Sequence, residues 1–387
     1  MSARRQLAEL LVACTTEHDW MKRLPRAVEL AAPLPTDRVM AAAGYHRVVG
    51  CVAASLQGAD GVAPDLAYRL GAASRRTSGR TMLALAAVRS VRDVLGAEVD
   101  WLVVKGPVLD AALYPRPRLR SFTDLDVLVA PAQLEEAVDR LVAAGYVLAD
   151  RNWQLIRDRV AGELHLQKEG CAPVDLHWTL LFNESLRQVF RFDTAAMFER
   201  SRTVEVAGGP VRTFDAVDTV LHLAVHAALE GGDRLVWLKD IDVAVRAGVP
   251  WDELVTRARD ARVELPVAAM LARTAGALGT PVPVDVVRCL PPRTWRMLIA
   301  TADTAFPAAR SSGMGTPATL LARSARDSVG ATLGGALRGF GRRAKALASG
   351  TVRRVDHRAD AGHETSLLHP RGGAAERAEY FRLVARR

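Results

Sequence analysis

An α+β fold is predicted by three features met along the chain. Apolar residues recur at three- and four-residue spacing through the first part, as in amphipathic helices. Strand-like alternation and short apolar runs replace that spacing over a central stretch of roughly 110 residues. The helical spacing then returns from Asp215. The 387 residues are thereby read as an N-terminal helical region (1–95), an α/β core (96–214), a helical bundle (215–305) and a basic, partly helical tail (306–387). That length suits two or three domains.

The elements follow in order. QLAELLVAC, DRVMAAAGYHRVVGCVAASL and TMLALAAVRSVRDVL carry the first helical pattern, with breaks at Pro33, Pro35 and GADGVAPD. From Val99, VDWLVVKG is a short apolar run ended by Gly106, consistent with a buried strand. PVLDAALY starts a helix at Pro107, because proline is pre-organised for the first turn. RPRLRSFT is a polar connection into the strand DLDVLVA, and PAQLEEAVDRLVAAGY is an amphipathic helix with Gly145 at its C-cap. GELHLQK and PVDLHWTL alternate with period two, and RTVEVAGGPVRTF predicts a hairpin turning at Gly208-Gly209. DAVDTVLHLAVHAALEGG, RLVWLKDIDVAVRAG, PWDELVTRARDARV and PVAAMLARTAGALG predict four successive helices of a bundle.

Composition narrows the function classes. With 49% hydrophobic and 25% charged residues, the chain is ordinary globular protein. Cys14, Cys51, Cys171 and Cys289 are far apart and form no CxxC pair, which argues against a disulfide framework or zinc site and fits a reducing cytoplasm. Glu9, Glu17 and Asp19 interrupt the N-terminal apolar run, so no signal peptide is expected, and no apolar run of about 18 residues predicts a transmembrane segment. The net charge of +9 resides in residues 291–387, which hold seventeen Lys/Arg against seven Asp/Glu. This basic region offers a surface for nucleic acid, an acidic partner or an anionic membrane, although a solvated arginine-rich stretch is the plainer reading. Phe340 is its lone aromatic around GALRGFGRRAKAL, which gives base stacking little support, and the G-x-G there has no preceding strand.

The unusual feature is the pair Asp124 and Asp126 in SFTDLDVLV. Asp suits strands poorly, and residues two apart on a strand share a face. Leu125, Val127 and Val129 then lie on one face and the carboxylates on the other. PVDLHW repeats the arrangement, with Val174, Leu176 and Trp178 alternating with Asp175 and His177. If the two strands are neighbours, Asp175 approaches the pair. Three carboxylates so close repel by several kcal/mol, taking Coulomb energies at about 4 Å and an effective dielectric near 20. A divalent cation relieves that repulsion, and oxygen-only ligands suit Mg²⁺ or Mn²⁺. Taken alone, a DxD at a strand end is more often an exposed pair without such a role.

Strand, glycine turn, helix, (S/T)DxD strand and a later Asp strand together resemble the nucleotidyltransferase superfamily with a polymerase-β-like core. VKGPVLDAALYPRPRLRSFTDLDVLV, VDLHWTL and DTVLHLAVHAALE…LVWLKDIDVAV more closely resemble a family of uncharacterised nucleotidyltransferases, over about Trp101 to Ala247. The resemblance implies that Asp124, Asp126 and Asp175 bind the metal ions, with Asp175 also orienting or deprotonating the acceptor hydroxyl. It implies a close approach of the Gly106 backbone to the triphosphate, with Thr123 as the (S/T) of the motif beside it. Lys105 or Arg120 are the candidates for phosphate contacts in place of the family's serine, and His177, on the Asp175 face, is the candidate acceptor contact. The chain departs from the superfamily at the turn: Lys105-Gly106-Pro107 stands where Gly-Ser is usual, and Pro107 removes an amide donor.

Other candidates have plainer readings. His222 and His226, four apart on an apolar helix, lack the Glu of a zinc-protease motif and read as packing histidines. His165, like His177, shares the Asp175 side of the sheet but reads more readily as structural. Asp240 and Asp242 point about 200° apart on a helix and cannot act as one metal site, so Lys239 and Asp240 read as partners in contacts between helices. The leading expectation is an enzyme that uses an NTP, with ATP favoured, to transfer an NMP group to a hydroxyl or phosphate of a small-molecule, peptide or macromolecular acceptor. The family's occurrence in natural-product gene clusters leans toward a small or peptidic acceptor. The alternative is a catalytically inactive nucleotidyltransferase-like module that binds a nucleotide or a partner protein.

Overall fold

The computed structural model describes residues 2–116, 119–290, 293–312, 316–325, 334 and 366–387. Two compact units are present, each assembled from separated stretches of chain. A helical unit comprises the described residues within Met1–Gly79, Leu113–Ser121 and Ala216–Gly341, and a sheet unit those within Arg80–Ala112, Phe122–Asp215 and Arg342–Arg387. Among the described residues no helix is long and apolar enough to cross a membrane. Most of the basic stretch read between 326 and 358 lies outside the described residues.

The sheet unit holds five strands: Trp101–Val103 (β1), Leu125–Val129 (β2), Val147–Leu148 (β3), Glu163–Gln167 (β4) and Val174–His177 (β5). Their order is β1-β2-β5-β4-β3. Only β2 and β5 run parallel; the other three pairs are antiparallel. The sheet is therefore mixed and the class is α+β, as the sequence predicts.

The sheet's apolar face follows directly from alternation. Leu125, Val127 and Val129 of β2, Val174 and Leu176 of β5, and Leu164 and Leu166 of β4 form one buried cluster. Val88, Val91 and Leu95 from the second half of helix Pro64–Leu95 cover it, with Leu134, Val138 and Leu141 of helix Leu134–Ala143. Tyr380, Phe381 and Val384 of helix Ala374–Val384 complete it. Each aliphatic or aromatic side chain so enclosed contributes roughly 1.5–3 kcal/mol relative to exposure. On the other face, Leu102, Val104 and Leu128 pack on Met197, Phe198 and Phe214, leaving the ends of β2, β4 and β5 to polar side chains.

Two glycines are required by geometry. Gly106 takes φ +68° where β1 turns into the six-residue helix Pro107–Ala112. Gly162 lies just before β4, where a Cβ would come within 2.9 Å of the Phe182 Cα, and its N–H donates to the Phe182 carbonyl. The hairpin Arg202–Val206/Gly209–Thr213 forms as predicted, but its turn is one residue earlier than expected. Ala207 and Gly208, at φ +57° and +79°, are the two turn residues, the left-handed pair that a tight hairpin demands. Gly209 is the first residue of the returning strand.

In the helical unit, helices Ala216–Glu230, Leu235–Arg246, Trp251–Asp260 and Glu264–Leu278 match the four predicted from Asp215 onward. Residues 113–121, between helix Pro107–Ala112 and β2 in the chain, belong to this unit and supply polar partners for helix Leu235–Arg246. Arg120 makes a two-point pair with Asp240 at 2.8 and 2.9 Å, and the Tyr114 hydroxyl donates to the same carboxylate at 2.6 Å. Lys239, almost fully buried, lies 3.2 Å from Glu17, which also holds Arg116. Asp242 accepts from Thr280 at 2.6 Å and from Arg246 at 2.8 Å.

Removing one partner of a buried pair strands the other charge, a loss of roughly 3–5 kcal/mol. Arg120→Ala is therefore expected to lower unfolding free energy by about that amount, measured by urea denaturation. An unchanged midpoint would show that Arg120 is not structural.

Candidate active site

Strand register assembles the site. Parallel pairing sets Asp126 of β2 opposite Asp175 of β5, and antiparallel pairing sets His165 of β4 on the other flank of Asp175. Two residues along, His177 lies opposite Glu163. Because side chains alternate along each strand, all five project from the face opposite the large apolar cluster.

The side chains form a chain of alternating charge. Lys105 Nζ lies 3.0 Å from Asp126 Oδ1, and His177 Nε2 lies 3.2 Å from the same oxygen. His177 Nδ1 is 3.0 Å from Glu163 Oε2. His165 Nε2 sits 3.4 Å from Glu163 and 3.2 Å from Asp175 Oδ1, while its Nδ1 meets Asp150 Oδ2 at 2.7 Å. The same Asp150 oxygen accepts the His165 backbone N–H at 2.9 Å, so a fully buried carboxylate fixes both the backbone and the ring of His165.

This lattice decides the protonation states. Burial disfavours an imidazolium, but Glu163 and Asp126 more than offset it and lift His177 to about 10. Burial likewise opposes charge on His165, yet Asp150, Glu163 and Asp175 raise it to about 9. Asp126 is nearly enclosed, which works against its charge, but Lys105 and His177 hold it below the ordinary carboxylate range. Glu163, also opposed by burial, is held low by His177 and His165. Asp175 moves the other way. Burial pushes it up to about 6; His165 opposes the rise and Asp126 and Glu163 add to it.

The other expected site residues are placed as follows. Asp124 stands one residue before β2, half-buried, and accepts from the Thr123 hydroxyl at 3.4 Å. Gly106 forms the turn beside Lys105. Arg120 is outside this cluster, paired with Asp240 in the helical unit. His222 and His226 also belong to the helical unit, where the His226 ring meets Trp237 edge-on at 6.3 Å. Sequence reasoning missed Glu163 and Asp150. Glu163 was within reach, since period two places it on the His165 face; Asp150 follows a two-residue strand and carries no motif.

As folded, Asp124, Asp126 and Asp175 do not fit a shared metal ion. Among the described residues no group of three or more His, Cys, Asp or Glu side chains is arranged to hold one. Asp126 is engaged by Lys105 and His177 and Asp175 by His165, while among the described residues Asp124 meets only Thr123. The repulsion between neighbouring aspartates is relieved by an ammonium and two imidazoliums.

A family model described as an uncharacterised nucleotidyltransferase matches residues 33–279. A search of curated proteins finds no match.

Stability should report the imidazolium charges. Both histidines are held above their usual 6.5, so their contribution is full below about pH 6.5 and is lost as pH rises through 9 and 10. The melting temperature is expected to fall between pH 7 and 10 more steeply in the wild type than in His177→Gln, followed by circular dichroism. Equal slopes would show that the imidazolium is not held by its neighbours.

Proposed function

The chain belongs to the uncharacterised nucleotidyltransferase family, and from that premise we propose that it transfers an NMP group from an NTP, ATP being favoured, to a hydroxyl-bearing acceptor. The observation that carries this reading is the in-register placement of Asp126 beside Asp175 on one polar sheet face. The β1–turn–helix–β2 order, with β5 parallel to β2, supports the further proposal that this sheet is a polymerase-β-like core.

In the proposed reaction the acceptor oxygen attacks the α-phosphorus of the NTP. The bond from that phosphorus to the bridging oxygen breaks, and pyrophosphate leaves. Asp175 takes the acceptor proton: a carboxylate raised to about 6 is a stronger base than an ordinary one and is ionised at neutral pH. Lys105 and the His177 imidazolium, both on Asp126, bring positive charge to the face where the phosphate oxygens and the departing pyrophosphate would carry negative charge. Asp150 positions His165, and His165 positions Asp175. Mg²⁺ or Mn²⁺ belongs to the proposal only on condition that Asp126 and Asp175 are freed from Lys105, His177 and His165.

One observation favours the second reading, a nucleotide- or partner-binding module without turnover: Asp126 and Asp175 are already engaged by Lys105, His177 and His165.

The test is incubation with each NTP labelled at the α-phosphate, with and without Mg²⁺ or Mn²⁺, and a pool of alcohols, peptides and sugars. Label transfer with pyrophosphate release is expected, lowered by about 10²–10⁴-fold in Asp175→Asn, the usual worth of a general base. The rate should climb as pH passes about 6, where Asp175 ionises. Nucleotide binding without pyrophosphate release would select the module.

A further inference from the structure

The helical unit contains a further feature that the proposed reaction does not invoke. A cleft of about 710 Å³ opens between helices Ala3–Thr15 and Trp20–Ala31 on one side and Glu264–Leu278 and Arg293–Ala305 on the other. That volume is within the usual range for small-molecule sites.

Its lining is divided by chemistry. Ala8, Val12, Leu30, Ala272, Ala277 and Ala308 are among the side chains that give an apolar floor, small enough to leave room for a ligand. Five arginines also line it, Arg5, Arg23, Arg26, Arg273 and Arg310, against two carboxylates, Glu9 and Asp303. The carboxylates are already taken. Glu9 lies 3.0 Å from Arg5 and 3.7 Å from Arg26, and Asp303 is held by Arg273 at 2.7 Å. Arg273 is further fixed by the Gly231 and Gly232 carbonyls, so it is part of the wall. Arg23 donates to the His18 carbonyl at 3.1 Å. Arg23 attracts the Asp19 carboxylate electrostatically, but among the described residues neither Arg23 nor Arg310 makes an ion pair. The cleft thus carries excess positive charge over an apolar floor, and guanidinium forks match carboxylate and phosphate oxygens.

We propose that this cleft binds a small organic anion consisting of an apolar body and a carboxylate or phosphate head. The apolar body lies on the alanine-lined floor, and the head is taken by one of two arginines at opposite ends of helix Ala3–Thr15: Arg310, beside its N-terminal end, or Arg23, beyond its C-terminal end. The proposal stands independently of the reaction at the sheet.

The test is isothermal titration of the full-length protein with octyl phosphate and with octanoate, beside 1-octanol and octylamine. Arg23→Gln/Arg310→Gln removes both arginines that could take the head. Gly276→Leu fills the cleft from helix Glu264–Leu278; an added Cβ there meets nothing within 4 Å, and leucine is the better helix former. One equivalent of at least one anion is expected to bind, with the tighter of the two assigning the head group. Affinity should fall roughly tenfold or more in each variant, and with rising salt, while melting temperatures hold. Binding of neither anion, 1-octanol binding as tightly as the anions, or unchanged affinity in Arg23→Gln/Arg310→Gln would overturn the proposal.

Discussion

The register of β5 between β2 and β4 is the constraint from which the rest of the sheet unit follows. It sets Asp126, Asp175 and His165 in one row and His177 beside Glu163 in the next. A slip of one residue would turn every side chain of β5 to the opposite face. Asp175 and His177 would then enter the apolar cluster, and Val174 and Leu176 would lose it. The apolar and polar requirements therefore select the same register, and neither could be met at another without losing both. Asp126 and Asp175, in two adjacent buried strands, are tolerable because that register also sets His177 against Asp126 and His165 against Asp175.

The same short motif behaves differently in the two units, and the difference is purely geometric. Asp124 and Asp126 approach or enter a strand, where residues two apart share a face. Asp240 and Asp242 lie on a helix, where they are turned about 200° apart. Each of the latter accordingly has its own set of partners, Arg120 and Tyr114 for one, Thr280 and Arg246 for the other. Their cost of burial is met pair by pair, which makes them fixtures of the helical packing.

Much of this was legible in the sequence because alternation and helical spacing are local signals. β1 announces itself as a short apolar run, and β2, β4, β5 and the four helices after Asp215 by period, so that the opposed faces of β2 and β5 follow from the sequence. What could not be read depends on partners distant in the chain. Which cation answers Asp126 is set by strand pairing, and no local pattern shows that Lys105 and His177 converge on one oxygen. Arg120 sits in a polar connection beside the DxD, so proximity in sequence suggested a phosphate contact, whereas its pair is 120 positions away. Helix Trp153–Arg159 and the two-residue β3 are too short to show a period. The hairpin was legible, but its turn was not: Gly208-Gly209 is the stronger signal by residue type, while cross-strand pairing of Val206 with Gly209 leaves Ala207-Gly208 to turn.

Helix Ala374–Val384 has a consequence for how the molecule is made. Tyr380, Phe381 and Val384 are within the apolar cluster beneath β2, β4 and β5, although just over two hundred residues separate them from the last of those strands. A nascent chain can form the hairpin and the local helices as they emerge from the ribosome. Its sheet cannot be sealed until residues 374–384 have been translated, so the exposed leucines and valines must wait through synthesis of most of the helical unit. A chain cut short before residue 374 would therefore lack part of the cover of its sheet, far though that segment lies in sequence from the strands it covers.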